Sequence, residues 1–122
     1  MKTILLVEDE FGIAAVLGSI LEEEGYRVLV AANGRQALNR LAEEAVAPDL
    51  VVTDFMMPVL DGIGLARALR ADPAWQDIPI IMMSAVPELT VKRDFTDYVA
   101  YLRKPFSVPL FLHRVAAILS EG

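Results

Sequence analysis

Residues 50–62 read LVVTDFMMPVLDG, and this stretch indicates the fold. An almost wholly apolar run ends at Asp54, and Pro58 delays any helix in the loop that follows. A short continuous apolar run is typical of a strand that is buried on both faces of a parallel sheet. The stretch therefore predicts a core strand that carries a carboxylate at its carboxyl end.

Four further runs of the same kind flank this strand. They are KTILLV before residue 8, RVLVA from residue 27, IPIIMMS up to residue 84 and YVAYLR before residue 104. Apolar residues recur at helical spacing between them, with Gly25, Asn33 and Ser107 where helix caps are expected. The alternation predicts an α/β fold: a doubly wound, flavodoxin-like sheet of five parallel strands in the order 2-1-3-4-5, with five helices.

The composition narrows the class of protein. A chain of 122 residues that is 55% hydrophobic predicts one packed domain over residues 1–122. The absence of cysteine and the single His113 exclude thiolate sites and a zinc cage, which leaves oxygen ligands and hard cations such as Mg²⁺. A net charge of −6 argues against direct binding of nucleic acid. The apolar runs are too short to cross a membrane, so we expect a cytoplasmic protein without a membrane partner.

Polar side chains follow four of the five predicted strands: Glu8 and Asp9, then Asp54, Ser84 and Lys104. Because the carboxyl ends of parallel strands meet at one edge of a sheet, we expect these side chains to lie together. Two carboxylates 4 Å apart repel by about 1 kcal/mol in water and about 4 kcal/mol at an effective dielectric of 20, so cations must join them. Lys104 and Mg²⁺ supply that charge, and a carboxylate beside them can attack a phosphoryl group. We predict Asp54 as the group that reacts.

The motifs LLVEDE, LVVTDFMMPVLDG, PIIMMSA and YLRKPF occur in this order, and with them the chain resembles a receiver domain of a two-component response regulator. It is similar in length to the single-domain chemotaxis regulators. The resemblance implies a phosphorylation-activated switch that catalyses only its own phosphotransfer and autodephosphorylation. It implies that a sensor histidine kinase or a histidine phosphotransfer protein phosphorylates Asp54.

The resemblance also implies how the signal leaves the domain. A stand-alone regulator would signal through the face formed by the fourth helix, the fifth strand and the fifth helix. We expect no further module after Ser120, and hence output through contacts with a downstream protein or through phosphoryl relay. A phosphorylation-dependent dimer is a further possibility.

Individual residues receive roles from the same resemblance. Asp9 would bind Mg²⁺ directly and Glu8 through a water molecule, and Asp54 and the backbone carbonyl of Met56 would complete the metal site. The hydroxyl of Ser84 would donate to the phosphoryl group. Lys104 would pair with that group.

Further positions concern the switch itself. Tyr101 matches an aromatic residue that swings inward when Ser84 moves, and Pro105 matches a peptide bond that is often cis. The segment between Ser84 and Lys104 is shorter than such proteins usually have, so a short or partly unwound fourth helix is expected over part of residues 87–97.

Three other functions compete with this interpretation. A phosphatase of the haloacid dehalogenase type needs an Asp-x-Asp pair, whereas this chain has Glu8-Asp9-Glu10. A flavodoxin-like cofactor binder needs a loop rich in glycine or hydroxyl groups there, and acids repel a phosphate. A receiver fold that acts as a phosphorylation-independent adaptor remains open. Treatment with acetyl phosphate distinguishes it from a phosphorylated switch.

Overall fold

A computed structural model describes residues 1–120 of the chain. Its strands are β1 (Thr3–Val7), β2 (Arg27–Ala31), β3 (Leu50–Asp54), β4 (Ile80–Ser84) and β5 (Ala100–Arg103). Its helices are α1 (Phe11–Glu23), α2 (Gly34–Glu43), α3 (Gly62–Ala71), α4 (Glu88–Lys92) and α5 (Val108–Leu119). The strands form one parallel sheet in the order β2-β1-β3-β4-β5, which confirms the predicted topology.

Two apolar clusters cover the two faces of this sheet. One joins the strands to α1 and α5 through residues such as Leu21 and Phe111. The other joins them to α2 and α3 through residues such as Leu41 and Leu65. Every residue of β3 and β4 is buried, as expected for central strands that are covered on both sides. Because all five strands are parallel, their carboxyl ends share one edge of this covered sheet.

Helix caps confirm several boundaries that the sequence predicted. The side chains of Asn33 and Ser107 accept hydrogen bonds from the first turns of α2 and α5, and Asp61 does the same for α3. Gly25 has a φ of 95° just after α1, a conformation that favours glycine. The three helices with these N-terminal caps, α2, α3 and α5, each follow a strand, so their first turns lie close to the carboxyl edge of the sheet.

The loop between β3 and α3 is folded back onto the end of its strand. Val59 has a φ of 71° and lies at the centre of a γ-turn closed by the amide of Leu60, a strained conformation for a β-branched residue. The amide of Gly62 donates to the carbonyl of Phe55 at 2.8 Å. A Cβ atom at Gly62 would overlap the carbonyl oxygen of Asp54, so glycine permits this close approach.

The segment before β5 is short, and α4 has only five residues, as predicted. Arg70 of α3 ties the α4–β5 connection to the segment before β4: its Nε donates to Asp97 Oδ2 at 2.7 Å and its Nη1 to the carbonyl of Ile78 at 2.8 Å. Arg67 adds a bond of 2.7 Å to the carbonyl of Asp94. Within residues 1–120, no helix has the length and apolar character needed to cross a membrane.

Candidate functional site

Three carboxylates meet at the carboxyl edge of the sheet. Oxygen atoms of Glu8, Asp9 and Asp54 all lie within 4.8 Å of one another. β1 and β3 are neighbours, and their register pairs Val7 with Thr53, so the residues that follow come together. Glu8 and Asp54 are only 2% and 7% exposed, whereas Asp9 is exposed to solvent. The predicted acidic cluster is therefore present, with two of its members buried.

Lys104 reaches this cluster from the end of β5. Its Nζ lies 2.7 Å from Glu8 Oε1 and 3.0 Å from Asp54 Oδ1. The amide of Lys104 donates to the carbonyl of Ser84 at 2.8 Å, which extends the β4–β5 ladder by one residue. The Lys104–Pro105 peptide bond is cis, as the resemblance predicted. One ammonium group thus bridges two buried carboxylates.

These contacts shift the pKa of each partner. Burial raises the pKa of Asp54 to about 7; the hydrogen bond from Lys104 opposes this rise, and neighbouring Glu8 adds to it. Burial alone would also raise the pKa of Glu8, but hydrogen bonds from Lys104 and from the amide of Glu10 outweigh it and lower that pKa. Burial lowers the pKa of Lys104, but its bonds to both carboxylates outweigh burial and raise it. Of the three groups, Asp54 is the one that titrates near neutral pH.

The donor set fits a hard divalent cation. Three carboxylates within reach of one another exceed the single charge of Lys104, so the cluster carries excess negative charge. Mg²⁺ prefers oxygen ligands and binds through few carboxylates while it keeps several waters. Exposed Asp9 also lines an open cavity of about 310 Å³ together with Met56 and Asp61, which leaves room for such waters and for a phosphoryl group.

Ser84 and Tyr101 are linked through a residue that the sequence did not single out for this role. The buried Ser84 Oγ accepts a hydrogen bond of 3.1 Å from the amide of Val86, and the half-buried Tyr101 hydroxyl donates to the carbonyl of Val86 at 2.5 Å. Both side chains therefore hold the same backbone segment after β4. Because this contact uses only main-chain atoms of Val86, the residue type at position 86 could not have indicated it.

Other predicted residues lie where the sequence placed them. Ser84 ends β4 next to β3, although its hydroxyl binds Val86 and not an acid. Glu10 and His113 are both exposed. The side chain of Met56 is 66% exposed beside the cavity.

A doubly wound sheet with carboxylates, a hydroxyl and a lysine at its carboxyl edge defines a class of phosphoacceptor signalling domains. The family model for the response regulator receiver domain matches residues 4–116, and the chain belongs to that family. Its members are phosphorylation-activated switches of two-component signalling and not conventional enzymes.

Relatives and solved structures agree with this assignment. The phosphate regulon transcriptional regulatory protein PhoB of Pseudomonas aeruginosa is 40% identical over 120 residues, which are 97% of this chain and 52% of that protein. A receiver domain of a histidine kinase from Syntrophus aciditrophicus has a TM-score of 0.90 and 32% identity, over 99% of this chain and 92% of that one. The chain spans about half the length of the curated relatives it matches.

A third comparison concerns the metal. The receiver domain of a Pseudomonas aeruginosa sensor histidine kinase has a TM-score of 0.86 and 29% identity, over 98% of both chains. That structure has a magnesium ion coordinated in its active-site cleft. The acidic cluster of Glu8, Asp9 and Asp54 is compatible with the same cofactor.

Proposed function

We propose that residues 1–122 form a receiver domain that accepts a phosphoryl group on Asp54. The proposal rests on the contact that Lys104 makes with both Glu8 and Asp54, in a buried cluster at the carboxyl edge of the sheet. The bond to Glu8 holds the ammonium group of Lys104 in place beside Asp54 Oδ1. Family membership supports the same assignment.

In the proposed reaction, a carboxylate oxygen of Asp54 attacks the phosphorus of a phosphohistidine. A P–O bond forms while the P–N bond breaks, and the electron pair of that bond stays on the departing imidazole. Lys104 stabilises the phosphoryl oxygens by charge, and the hydroxyl of Ser84 turns from Val86 to donate to one of them. The acyl phosphate brings a charge of roughly −2.

Asp9, Glu8, Asp54 and the backbone carbonyl of Met56 are the proposed ligands of Mg²⁺. Asp9 is proposed to bind directly and Glu8 through water, since Glu8 already binds Lys104 while Asp9 faces the cavity. When bound, the ion neutralises charge on the acids and on the transferring phosphoryl group. The surrounding side chains of the site hold the acceptor, Asp54, in position beside the ion.

We propose that water attacks the phosphorus of the acyl phosphate and releases inorganic phosphate from Asp54. The domain thereby catalyses its own dephosphorylation. Apolar Met56 and Val86 flank the acceptor and the hydroxyl and offer no side-chain group that could orient this water. Slow autodephosphorylation is therefore expected.

The proposed partners are a histidine kinase or a histidine phosphotransfer protein as donor, and a downstream protein as target. The proposed output face is formed by α4, β5 and α5, and a phosphorylation-dependent dimer through it is an option. Exposed Leu89, Val99 and Leu110 on these elements and their connection support a contact surface there. We propose a cytoplasmic location, where phosphotransfer from such a kinase would take place.

Acetyl phosphate and Mg²⁺ test this function. We expect intact-protein mass spectrometry to show one added phosphoryl group in the wild type and none in Asp54→Asn. Asp49→Asn is the matched control, because Asp49 lies just before the same strand at the opposite edge and its carboxylate accepts from the amide of Thr3. Equal results for the wild type and Asp54→Asn would favour the adaptor, and turnover of free phosphate esters would favour a phosphatase.

A further inference from the structure

Tyr98 connects the predicted switch tyrosine to α4. Its hydroxyl donates to Glu88 Oε2 at 2.8 Å, and Glu88 is the first residue of α4. Its ring lies 5.9 Å from the ring of Tyr101 at an angle of 51°, and 6.4 Å from the ring of Phe95. Tyr98 therefore touches the side chain that is expected to rotate and binds the helix that is expected to respond.

The remaining contacts of this region restrict how α4 can move. The end of its connection to β5 is held from α3, through Arg67 to the carbonyl of Asp94 and through Arg70 to Asp97. At the other end, the first turn of α4 is held by the bond between Glu88 and Tyr98. A displacement near Tyr101 therefore acts on α4 at its first turn more readily than at its last.

The hydroxyl of Tyr98 stays a donor over the whole physiological range. Burial and the neighbouring carboxylate of Glu88 both raise the pKa of Tyr98 well above its ordinary value. Lys92, one turn along α4, lies 3.7 Å from the same Glu88 oxygen. The bond is thus between a neutral donor and a charged acceptor, which is stronger than a bond between neutral groups.

We propose that Tyr98 is a positioning residue that transmits the state of Tyr101 to the first turn of α4 through its hydrogen bond to Glu88. When Tyr101 breaks its bond to the carbonyl of Val86 and rotates, it changes the space beside the ring of Tyr98. Tyr98 shifts with it and carries Glu88, and with Glu88 the helix, to a new position. The inference rests on the proposed phosphorylation of Asp54.

Hydrogen exchange in the full chain tests the coupling, with beryllofluoride and Mg²⁺ as the probe. The measured quantity is the change in protection of the amides of residues 90–92 on loading. The amide of Thr90 closes the first turn of α4 on the carbonyl of Pro87, whereas the amides of Asp94 and Phe95, at the end that is held from α3, are expected to change less. Loading itself is followed separately by fluorine NMR of the bound beryllofluoride, so a failure of the proposed function is seen as a loss of binding in the wild type.

The variants separate the hydrogen bond from the packing of the ring. Tyr98→Phe keeps the ring and removes the donor, and Glu88→Ala removes the acceptor; both are expected to bind beryllofluoride as the wild type does and to lose the change in protection. Glu88→Gln keeps an acceptor oxygen and is expected to retain that change. Tyr26→Phe, at a partly buried tyrosine on the other face of the sheet, is the control and is expected to respond fully.

Two results would overturn the inference. One is a wild-type change in protection in both Tyr98→Phe and Glu88→Ala, since the bond would then carry no signal. The other is a lost response in Glu88→Gln, since an acceptor in place of the carboxylate would then not suffice.

Discussion

The ammonium group of Lys104 lies 2.7 Å from a carboxylate oxygen of Glu8, although the two residues are 96 positions apart in the chain. The side chain of Glu8 is fully buried, and the pair forms because β5 and β1 end at the same edge of the sheet. The same ammonium lies 3.0 Å from Asp54. One cation therefore stabilises the acidic cluster and opposes the rise that burial causes in the pKa of the proposed acceptor.

Lys104→Met should destabilise the protein measurably. It leaves the buried carboxylates of Glu8 and Asp54 without a cation, and breaking a buried pair costs about 3–5 kcal/mol. We expect the free energy of unfolding in urea near pH 7.5 to fall by about 2–3 kcal/mol, since protonation of Asp54 limits the loss. Lys92→Met is the control: its pair with Glu88 is exposed and should change that energy by less than about 1 kcal/mol. Equal effects of the two substitutions would contradict the expectation.

The stability of the metal-free protein should fall as the pH rises toward 7. Asp54 has a pKa of about 7 in the folded protein against an ordinary value of 3.8, so its contribution is complete below about pH 4 and is lost as the pH rises through 7. Glu8 has a lowered pKa, so its contribution to stability depends on pH in the opposite direction. That contribution is lost only as the pH falls below the ordinary value of 4.5.

Urea unfolding in the presence of a chelator measures this dependence. Between about pH 5.5 and 7.5 we expect the wild type to lose about 1–2 kcal/mol of unfolding free energy. Asp54→Asn should show little of this loss, because the amide does not titrate. The same pH dependence in both proteins would show that another group is responsible.

Met56→Asn should shorten the lifetime of the phosphoryl group. The side chain of Met56 is exposed at the cavity beside Asp9, and an amide there can hold a water near the acyl phosphate. We expect loss of the phosphoryl group, followed by mass spectrometry after removal of acetyl phosphate, to be roughly tenfold faster. Met56→Leu, which adds no polar group, should decay at the wild-type rate. An unchanged rate in Met56→Asn would rule out this role for the position.

Arg70→Lys should destabilise the connection between α4 and β5. The guanidinium group binds Asp97 and the carbonyls of Gln76 and Ile78 at once through a planar set of N–H donors, whose directions an ammonium group does not reproduce. We expect a loss of about 1–2 kcal/mol in the free energy of unfolding. Arg67→Lys gives up one bond to a carbonyl and should cost less. A larger effect at Arg67 would contradict this assignment.

The positions of the site residues were predictable because they follow from strand ends. An apolar run that stops at a polar residue marks the carboxyl end of a buried strand, and all parallel strands share that edge. Apolar spacing also predicted β2 and β3 to the residue, while β1 begins one residue and β4 two residues later than the apolar runs. Lys2 and Pro79 lie just before these strands and bind the sheet only through their carbonyls, which accept hydrogen bonds from the amides of Arg27 and Val51.

The contacts between side chains were not predictable in the same way. Sequence alone did not tell which of Glu8 and Asp9 is buried against Lys104, since both follow β1 directly. The bond from Tyr98 to Glu88 and the bonds of Arg70 depend on the path of the short α4 segment, which has no periodic pattern. Such contacts are set by tertiary packing and leave no spacing signal in the chain.

Borohydride trapping identifies the aspartate that accepts the phosphoryl group. Protein treated with acetyl phosphate and Mg²⁺ is reduced with sodium borohydride, which converts an aspartyl phosphate to homoserine, and the altered residue is located by peptide mass spectrometry. We expect homoserine at position 54 alone, and none in Asp54→Asn. Homoserine at Asp9, or no conversion at any aspartate of the wild type, would contradict it.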